Sequence, residues 1–269
     1  MIPLRDNNPT RSFPAVTIAL ILVNIAVFYL QNVGGPEMNA VFNGTYSFIP
    51  YELTHNVDLV GVITQTRDGG LTFHAGQPSV DDPLSRAAMP LGPSPHPLFL
   101  TIFTSMFMHG SLMHIIGNML FLWIFGNNVE DALGKVRFLL FYLACGFAAA
   151  IVQTVSGPNT FIPNMGASGA IAGVMGAYIV MWPEARVLTL ISLGFFFLLR
   201  EVRAFWVLGI WIVLQLLTSH LQQGGEATGG VAYFAHIGGF AAGLIGIVML
   251  GGRELGRKQR RFATRRWEA

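Results

Sequence analysis

A few side chains that could do chemistry stand in runs of sequence that are otherwise apolar. Ser168 opens the stretch SGAIAGVMGAYIV, and His236 lies near the start of YFAHIGGFAAGLIGIVML. A third run, MHGSLMHIIGNMLFLW, carries His109, His114 and Asn118. Because a polar or ionisable group is costly to place inside a membrane, each of these residues is a candidate for a functional role.

These residue types suit catalysis by a serine nucleophile. A serine hydroxyl needs a base within hydrogen-bond distance, most often a histidine, and donors directed at the oxyanion that forms. Ser168 can supply the nucleophile and His236 the base. His114 and Asn118 are four residues apart and share one helix face, so they can supply donors together with the backbone N–H of Ser168.

The positions of the acidic residues narrow the chemistry further. Glu226 and Glu254 are the acids nearest to His236 in sequence, and both lie outside its apolar run. We therefore expect a Ser–His dyad rather than a triad. A zinc protease of the His-Glu-x-x-His type would need an acid beside the other histidines, but the sequence has no acid between Asp82 and Glu130.

Glycine spacing indicates which helices position the serine and the histidine. Gly169 and Gly173 form one pair of small residues four apart, and Gly239 and Gly243 form another. Such pairs let helix backbones approach closely. The candidate base shares a face with the second pair, at positions i, i+3 and i+7. If the helix of the serine packs on this face, the hydroxyl and the imidazole meet.

The composition is that of a polytopic membrane protein. Apolar residues make up 52% of the 269 residues and charged residues 11%, against about 25% charged residues in soluble domains. The single cysteine, Cys145, excludes a disulfide framework and a cysteine-based zinc site. A membrane-crossing helix needs about 17 to 25 mostly apolar residues. Six runs meet or approach that length: residues 14–31, 112–127, 136–156, 168–182, 204–220 and 235–250.

Basic residues predict the orientation of these six spans. An even number of spans puts both termini on one side of the membrane, and cytoplasmic segments are enriched in Lys and Arg. With cytoplasmic termini, 14 of the 16 basic residues lie inside, and Arg67 and Arg86 lie outside. We therefore expect an integral membrane protein with both termini in the cytoplasm. The basic tail is expected to rest on anionic lipid headgroups, without a nucleic-acid partner.

The same patterns divide the chain into five parts. We predict a cytoplasmic N-terminus at 1–13, a first transmembrane helix at 14–32, an external loop at 33–97, a core with the remaining spans at 98–250 and a basic cytoplasmic tail at 251–269. Alternating apolar residues predict a hairpin around Asp68-Gly69-Gly70 in the loop. The apolar run 187–200 is expected to form a short interfacial helix; the alternative is the start of the fifth span.

The motifs, taken in order, resemble the rhomboid family of intramembrane serine proteases, in its bacterial type. HGSLMHIIGNMLFLW, GASGAIAGVMGAY and AHIGGFAAG match the family on separate predicted spans, over about residues 100–250. The resemblance implies an all-α bundle of six transmembrane helices with a long external loop after the first. It implies Ser168 as nucleophile, His236 as general base, and an oxyanion hole made by His114, Asn118 and the Ser168 amide.

The resemblance also implies a substrate class and a location. Family members are peptide-bond hydrolases that cleave transmembrane segments of membrane proteins near the outer surface, without a metal or organic cofactor. The location implied is the inner membrane of a bacterium, and the partners are the lipid bilayer and transmembrane substrates. Supporting roles fall to His109 and Glu130, which match family residues that look structural, and to five glycines: Gly166, Gly169, Gly173, Gly239 and Gly243.

Two departures and two rival functions accompany this interpretation. Leu100-Thr101 stand where many members have Trp-Arg, and Ala172 stands where some have an aromatic residue that stacks on the histidine. A catalytically silent relative that binds membrane-protein clients as a chaperone would be expected to show decay of the dyad. A small transporter with proton-relaying histidines would be expected to show paired broken helices and intramembrane acids.

Overall fold

Apolar helices dominate the structure, a computed structural model that describes residues 1–65, 71–75, 89–94, 97–193, 196–222 and 232–265. Within those residues, three helices are long and apolar enough to cross a membrane. They are α1 (Ala15–Val33), α7 (Lys135–Ser156) and a continuous run of α5 (Leu112–Phe121), a π-helical turn (Leu122–Gly126) and α6 (Asn127–Leu133).

Three further helices lie in the remaining predicted spans. They are α8 (Ser168–Met181), α9 (Ala204–Gln222) and α10 (Tyr233–Met249), and α10 is followed after a 76° bend by α11 (Gly252–Arg265). Gly251, at the bend, has φ +72°, and Gly134, between α6 and α7, has φ +81°. Only glycine adopts such angles readily, so these two residues end the preceding helices. Each helix begins within two residues of its predicted span.

The central helix of the bundle is α8. Every residue from Gly169 to Tyr178 is buried, although the helix has only 14 residues. It packs between α7 and α10 and contacts the π-helical turn. The main hydrophobic core surrounds it and includes Phe125, Tyr142 and Trp182, each fully buried. A helix that is apolar on all sides suits this central position.

The all-α prediction is wrong at the run 187–200, which forms neither an interfacial helix nor the start of a span. Instead β5 (Arg186–Leu193) and β6 (Phe196–Arg203) pair antiparallel, and β1 (Ile2–Asp6) pairs with β5, giving the sheet order β1-β5-β6. The physical reason is the alternation of β-branched residues in β5, where two such side chains are fully buried. The alternating residues are Val187, Thr189 and Ile191.

The predicted loop at 33–97 contains regular structure. It holds the helices α2 (Gly35–Tyr46) and α3 (Pro50–His55) and the strands β2 (Gly61–Gln65), β3 (Leu71–Ala75) and β4 (Met89–Leu91), in sheet order β3-β2-β4. The pair β2–β3 is the predicted hairpin, and its turn at Asp68-Gly69-Gly70 lies outside the described residues. A separate small core supports this region, made by Ile49, Leu59, Ile63 and Leu91. A 3₁₀ turn (Leu98–Leu100) and α4 (Thr101–Ser105) then lead to α5.

The two sheets lie at opposite ends of the bundle. The backbones of Phe48 and Asn164 exchange two hydrogen bonds, which holds the region of α2, α3 and β2–β4 against the segment before α8. We call this the serine end. At the other end, α11 packs against α6 and α8, and the side chain of Gln259 donates to the carbonyl oxygen of Pro9, which follows β1, at 2.6 Å. We call this the basic end, because the basic residues of β5, β6 and α11 lie there.

Two adjacent carboxylates fix the start of α1 at the basic end. Glu130 accepts hydrogen bonds from the backbone N–H of Val16 at 3.0 Å and from the N–H and hydroxyl of Thr17, both at 2.7 Å. Asp131 accepts from Arg11 at 3.0 Å and from the Ser12 hydroxyl at 2.7 Å. These bonds satisfy donors that the first turn of a helix leaves unpaired. Glu130 and Asp131 thus join α6 to the start of α1.

Candidate active site

Ser168 and His236 meet at the serine end of the bundle. Ser168 is the first residue of α8, and His236 lies in the first turn of α10. The serine Oγ lies 2.7 Å from the imidazole Nε2, a hydrogen-bond distance for a hydroxyl and a ring nitrogen. His236 is 9% exposed. The two side chains therefore have the separation that a nucleophile and its base require.

Glycines on α8 and α10 produce this approach. A methyl group at Gly239 would overlap the carbonyl oxygen of Gly169, and one at Gly243 would overlap the carbonyl oxygen of Gly173. On its other side α8 packs against side chains of α7, because a methyl group at Gly169 would overlap the side chain of Ala149 and one at Gly173 would overlap that of Cys145. The glycine pair of α10 therefore sets the distance between α8 and α10, and the pair of α8 sets the distance between α8 and α7.

Gly166 shapes the entry to α8. Its φ of +131° is a conformation that other residues rarely adopt, and its N–H donates to the Ser105 carbonyl oxygen at 2.8 Å. A Cβ at this position would lie 2.8 Å from Cε1 of His114 and 3.7 Å from the Ser168 Oγ. A glycine here therefore leaves room for the imidazole beside the serine.

A cavity of about 680 Å³ opens beside the serine and the histidine. All four residues predicted to act in catalysis line it, namely Ser168, His236, His114 and Asn118. Apolar side chains make up much of the remaining lining, and no Asp, Glu, Lys or Arg is among the described residues of the wall. Those apolar lining residues include Met113, Phe121, Met165, Ile171, Met175 and Trp211.

Asn118 and His114 reach the cavity from α5. The hydroxyl of Ser111 accepts from the N–H of His114 at 3.2 Å and so caps the helix that carries both residues. Asn118 is 8% exposed, and its Nδ2 is a buried donor without a protein partner. A buried amide donor that faces a cavity can bind an oxygen atom of a ligand.

His109 lies behind this wall rather than in it. The residue is 1% exposed, and its ring makes an edge contact with the His114 ring, with 5.0 Å between centroids. Its backbone N–H donates to the side-chain oxygen of Gln31 in α1 at 3.0 Å. His109 therefore lies between the His114 ring and α1. Within the described part of the chain, no three His, Cys, Asp or Glu side chains are grouped to hold a metal ion.

Sequence reasoning missed Gln215. Its Oε1 lies 2.7 Å from Nδ1 of His236, so the imidazole has partners on both ring nitrogens. The expected third member was an acid, whereas Gln215 is a neutral residue in the apolar run of α9. The rule that selected Ser168 and Asn118, a polar side chain inside an apolar run, could also have selected Gln215.

Aromatic contacts to the imidazole come from helices other than α8. Ala172 is buried and offers no ring, as its position in the sequence implied. The ring of Trp211 in α9 lies 5.6 Å from the His236 ring between centroids, and the ring of Tyr233 lies 6.5 Å away, nearly perpendicular. The Trp211 ring of α9 therefore packs beside the imidazole at a tilt of 41°.

The sequence also matches a known protein family. The model of the family described as Rhomboid domain matches residues 97–253, which is more than half of the chain. The chain belongs to the rhomboid family. The resemblance noted in the sequence motifs is thereby confirmed, and with it the expectation of an integral membrane protein.

Three rhomboid relatives illustrate the similarity. RHOMBOID-like protein 4 of Arabidopsis thaliana is 32% identical over 148 residues, covering 53% of this chain and 32% of the relative. The mitochondrial presenilin-associated rhomboid-like protein of Homo sapiens is 38% identical over 84 residues, covering 30% of this chain and 22% of the relative. Rhomboid protease GluP of Bacillus subtilis is 38% identical over 93 residues, covering 35% of this chain and 18% of the relative.

The rhomboid match has a limited extent in these relatives. The chain spans about a third or less of the length of each. They come from a plant, a mammal and a bacterium, so membership of the family does not restrict the chain to the bacterial type. The Rhomboid domain match at residues 97–253 contains every candidate site residue named above.

Proposed function

We propose that the protein is an intramembrane serine endopeptidase that cleaves transmembrane segments of membrane proteins. The observation that carries the proposal is the 2.7 Å approach of the Ser168 Oγ to the His236 Nε2 at the wall of a cavity. Membership of the rhomboid family, and similarity to a relative named as a rhomboid protease, support it.

The reaction begins with proton transfer inside this pair. Nε2 of His236 takes the hydroxyl proton of Ser168 while Oγ forms a bond to the scissile carbonyl carbon. The carbonyl oxygen becomes an oxyanion and accepts hydrogen bonds from Nδ2 of Asn118, the ring N–H of His114 and the backbone N–H of Ser168. As the first residue of α8, Ser168 has an N–H that the helix itself does not pair.

Two further steps complete hydrolysis. The tetrahedral intermediate collapses, the C–N bond breaks, and the imidazolium of His236 gives its proton to the leaving amine. An acyl-enzyme ester on Ser168 remains. A water molecule then gives a proton to His236 and attacks the ester carbonyl, which releases the second product and restores the hydroxyl. The cavity beside the dyad gives this water a place to enter.

The substrate must present an extended peptide bond to the dyad. A helical transmembrane segment hides its backbone, and its unwinding frees polar groups that hydrocarbon cannot pair. Segments with helix-breaking residues unwind at lower cost and should be preferred, and the apolar lining of the cavity suits a lipid-facing segment. Single-span membrane proteins are therefore the substrate class that we propose.

We also propose the six-span topology, with the basic end in the cytoplasm. The helices α1, α5–α6, α7, α8, α9 and α10 supply the spans, and the five-part division of the chain at residues 13, 32, 97 and 250 follows from them. Arg5, Arg186 and Arg203 belong to the strands of the basic end, as the excess of cytoplasmic Lys and Arg requires. The dyad then lies near the outer face, in the inner membrane of a bacterial cell.

The rival functions fit the site less well. A catalytically silent chaperone needs neither a Ser–His hydrogen bond nor an unpaired amide donor facing a cavity, and both are present. A proton-relaying transporter would need acids along its path. The described residues that line the cavity include none.

Proteolysis in a bilayer tests the proposal. The full chain is reconstituted in liposomes with a reporter that has one transmembrane segment, and the products are followed by electrophoresis and mass spectrometry. We expect the wild type to cleave within or beside that segment and Ser168→Ala and His236→Ala to lose the activity. Ser156→Ala is the matched control, because this exposed serine at the end of α7 bonds only the Val152 carbonyl oxygen in the structure. Equal cleavage by Ser168→Ala and the wild type would contradict the proposal.

A further inference from the structure

Helix α9 contacts the imidazole of His236 through a hydrogen bond and through an aromatic ring. Gln215 and Trp211 are four residues apart on α9 and so share one helix face. The Gln215 Oε1 lies 2.7 Å from Nδ1, and the Trp211 ring packs on the imidazole at 5.6 Å between centroids. Ser168 occupies the remaining nitrogen at 2.7 Å. The ring is therefore fixed in orientation from three sides.

We propose that Gln215 is a positioning residue that sets the tautomer of His236 for catalysis. This inference rests on the proposed function of the dyad. An amide oxygen can only accept a hydrogen bond, so a partner at Nδ1 must donate to it. The proton of the neutral imidazole then resides on Nδ1, and Nε2 presents its lone pair to the serine hydroxyl. The opposite tautomer would carry a hydrogen on Nε2 and could not take the serine proton.

A neutral acceptor suits the place where Gln215 lies. In soluble triad enzymes a buried carboxylate makes the equivalent hydrogen bond and also stabilises the imidazolium that forms. An isolated carboxylate is costly to bury in an apolar environment, whereas an amide needs only its hydrogen bonds. Gln215 therefore supplies the orientation that an acid would give without adding a charge to the apolar helix α9.

Gln215 is the hydrogen-bond partner of Nδ1, and the other groups near His236 are arranged differently. From α5 the nearby titratable group is His114, and from α10 it is Tyr233, whose ring lies 6.5 Å away. The near side chain of α7, Gln153, accepts from the backbone N–H of Ala235 at 3.1 Å. No Asp, Glu, Lys or Arg occurs among the described residues of the cavity wall. Other titratable side chains on the described parts of the packed helices include Cys145 of α7, which is buried, and His220 in the last turn of α9.

Two substitutions of similar size test whether the hydrogen-bond acceptor of Gln215, and not only the volume of its side chain, is required. Gln215→Met keeps the length of the side chain and removes the acceptor. We therefore expect kcat to fall at least about tenfold with KM little changed. For comparison, kcat falls about 10⁴-fold when the histidine of a triad enzyme is forced into the wrong tautomer. Gln215→Glu keeps an acceptor, so we expect higher kcat than in Gln215→Met. Its charge favours the imidazolium, which should move the acid limb of the kcat profile to higher pH. Leu216→Met, at an exposed position of the same helix, is the control and should match the wild type.

A spectroscopic measurement tests the tautomer itself. In the full chain with ¹⁵N-labelled histidine, we expect the His236 resonances of the wild type to show a protonated Nδ1 and an unprotonated Nε2, assigned by their absence in His236→Ala. In Gln215→Met the proton should redistribute toward Nε2. Wild-type kcat and pH profile in Gln215→Met would overturn the proposal. So would a loss of kcat with an unchanged tautomer, because the residue would then be structural only.

Failure of this inference is distinguishable from failure of the proposed function. A serine-directed fluorophosphonate labels an activated serine without needing a protein substrate. If the wild type labels at Ser168 and Gln215→Met labels at the same rate with the same pH dependence, the dyad stands and the role of Gln215 falls. If the wild type is not labelled at Ser168, the proposed function is wrong. Independently of labelling, a wild-type spectrum in which Nε2 of His236 is protonated would refute the proposed tautomer.

Discussion

The side-chain amide of Asn118 is a buried hydrogen-bond donor near the candidate nucleophile. Its Nδ2 is buried beside the cavity and has no acceptor in the protein. Leaving a buried donor unpaired costs about 1–3 kcal/mol, and this donor belongs to a residue that lines the same cavity as Ser168. A developing oxyanion beside Ser168 would accept from this amide only as the reaction proceeds. Such a donor stabilises the transition state more than the ground state.

Substitution of Asn118 should therefore slow catalysis without unfolding the protein. We expect Asn118→Ala to lower kcat about 10²- to 10³-fold, the usual effect of removing one oxyanion donor. The rate of reporter cleavage in liposomes measures this. Asn32→Ala is the control, since this exposed amide in α1 bonds only to the Phe28 carbonyl oxygen in the structure. Cleavage at the wild-type rate by Asn118→Ala would remove the amide from the oxyanion hole.

The individual site residues were largely accessible from the sequence. Ser168, His236 and Asn118 stood out because polar side chains are rare in apolar runs, and all three line the cavity. Gln215 has the same kind of surroundings, but its contact with the imidazole depends on how α9 is rotated against α10. A run of apolar residues on all sides does not specify that rotation, so the pairing required the structure.

At the scale of elements, the contact between α8 and α10 builds the site. The backbones touch where Gly239 meets Gly169 and where Gly243 meets Gly173. Dispersion across such a close contact, rather than burial from water, drives helix association inside a membrane. Glycine spacing predicted this packing because its effect is local to two helices.

Separating these helices should disable the dyad. A methyl group in Gly239→Ala would overlap the Gly169 carbonyl oxygen, and overpacking of this kind costs about 1–3 kcal/mol. We expect a lower Tm and at least about a tenfold loss of kcat, since misplacement by about 1 Å can cost 10²-fold. Gly209→Ala in α9 is the matched control, because its added methyl group meets open space. Unchanged Tm and kcat in Gly239→Ala would refute the account of the packing.

Strands β5 and β6 are elements that sequence reasoning did not find. An apolar run in a membrane protein favoured a helix, but Val187, Thr189 and Ile191 recur with a period of two. The decisive contact is non-local, since β1 at the start of the chain pairs with β5. That pairing satisfies the backbone groups of β5 on the side away from β6, and a helical prediction from residues 187–200 alone could not include it.

At the scale of the whole molecule, buried carboxyl groups lie at both ends of the bundle. At the serine end, burial raises the pKa of Glu52 from 4.5 to about 7, although its carboxylate accepts from the N–H of Leu59 at 3.0 Å. At the basic end, burial raises the pKa of Asp6 from 3.8 to about 6, against hydrogen bonds from Tyr178 and Asn128. Both groups are more easily protonated in the folded chain than in the unfolded one.

The folded protein should consequently lose stability as the pH rises. A carboxyl group with a raised pKa contributes its stability below the unfolded value, here 4.5 for Glu52 and 3.8 for Asp6, and loses it as the pH passes about 7 and about 6. We expect the Tm of the purified chain to fall between pH 5 and pH 8. Glu52→Gln and Asp6→Asn should each reduce that fall. If both variants show the same change of Tm with pH as the wild type, these two carboxyl groups are not the cause of the pH dependence.

Labelling of the purified chain by a serine-directed fluorophosphonate tests the central claim most directly, because it asks only whether Ser168 is an activated nucleophile. The account predicts one covalent adduct, located on Ser168 by mass spectrometry, absent in Ser168→Ala and strongly reduced in His236→Ala. Ser156→Ala should label like the wild type. A folded wild-type sample that is not labelled at Ser168, or that is labelled equally in His236→Ala, would contradict the account.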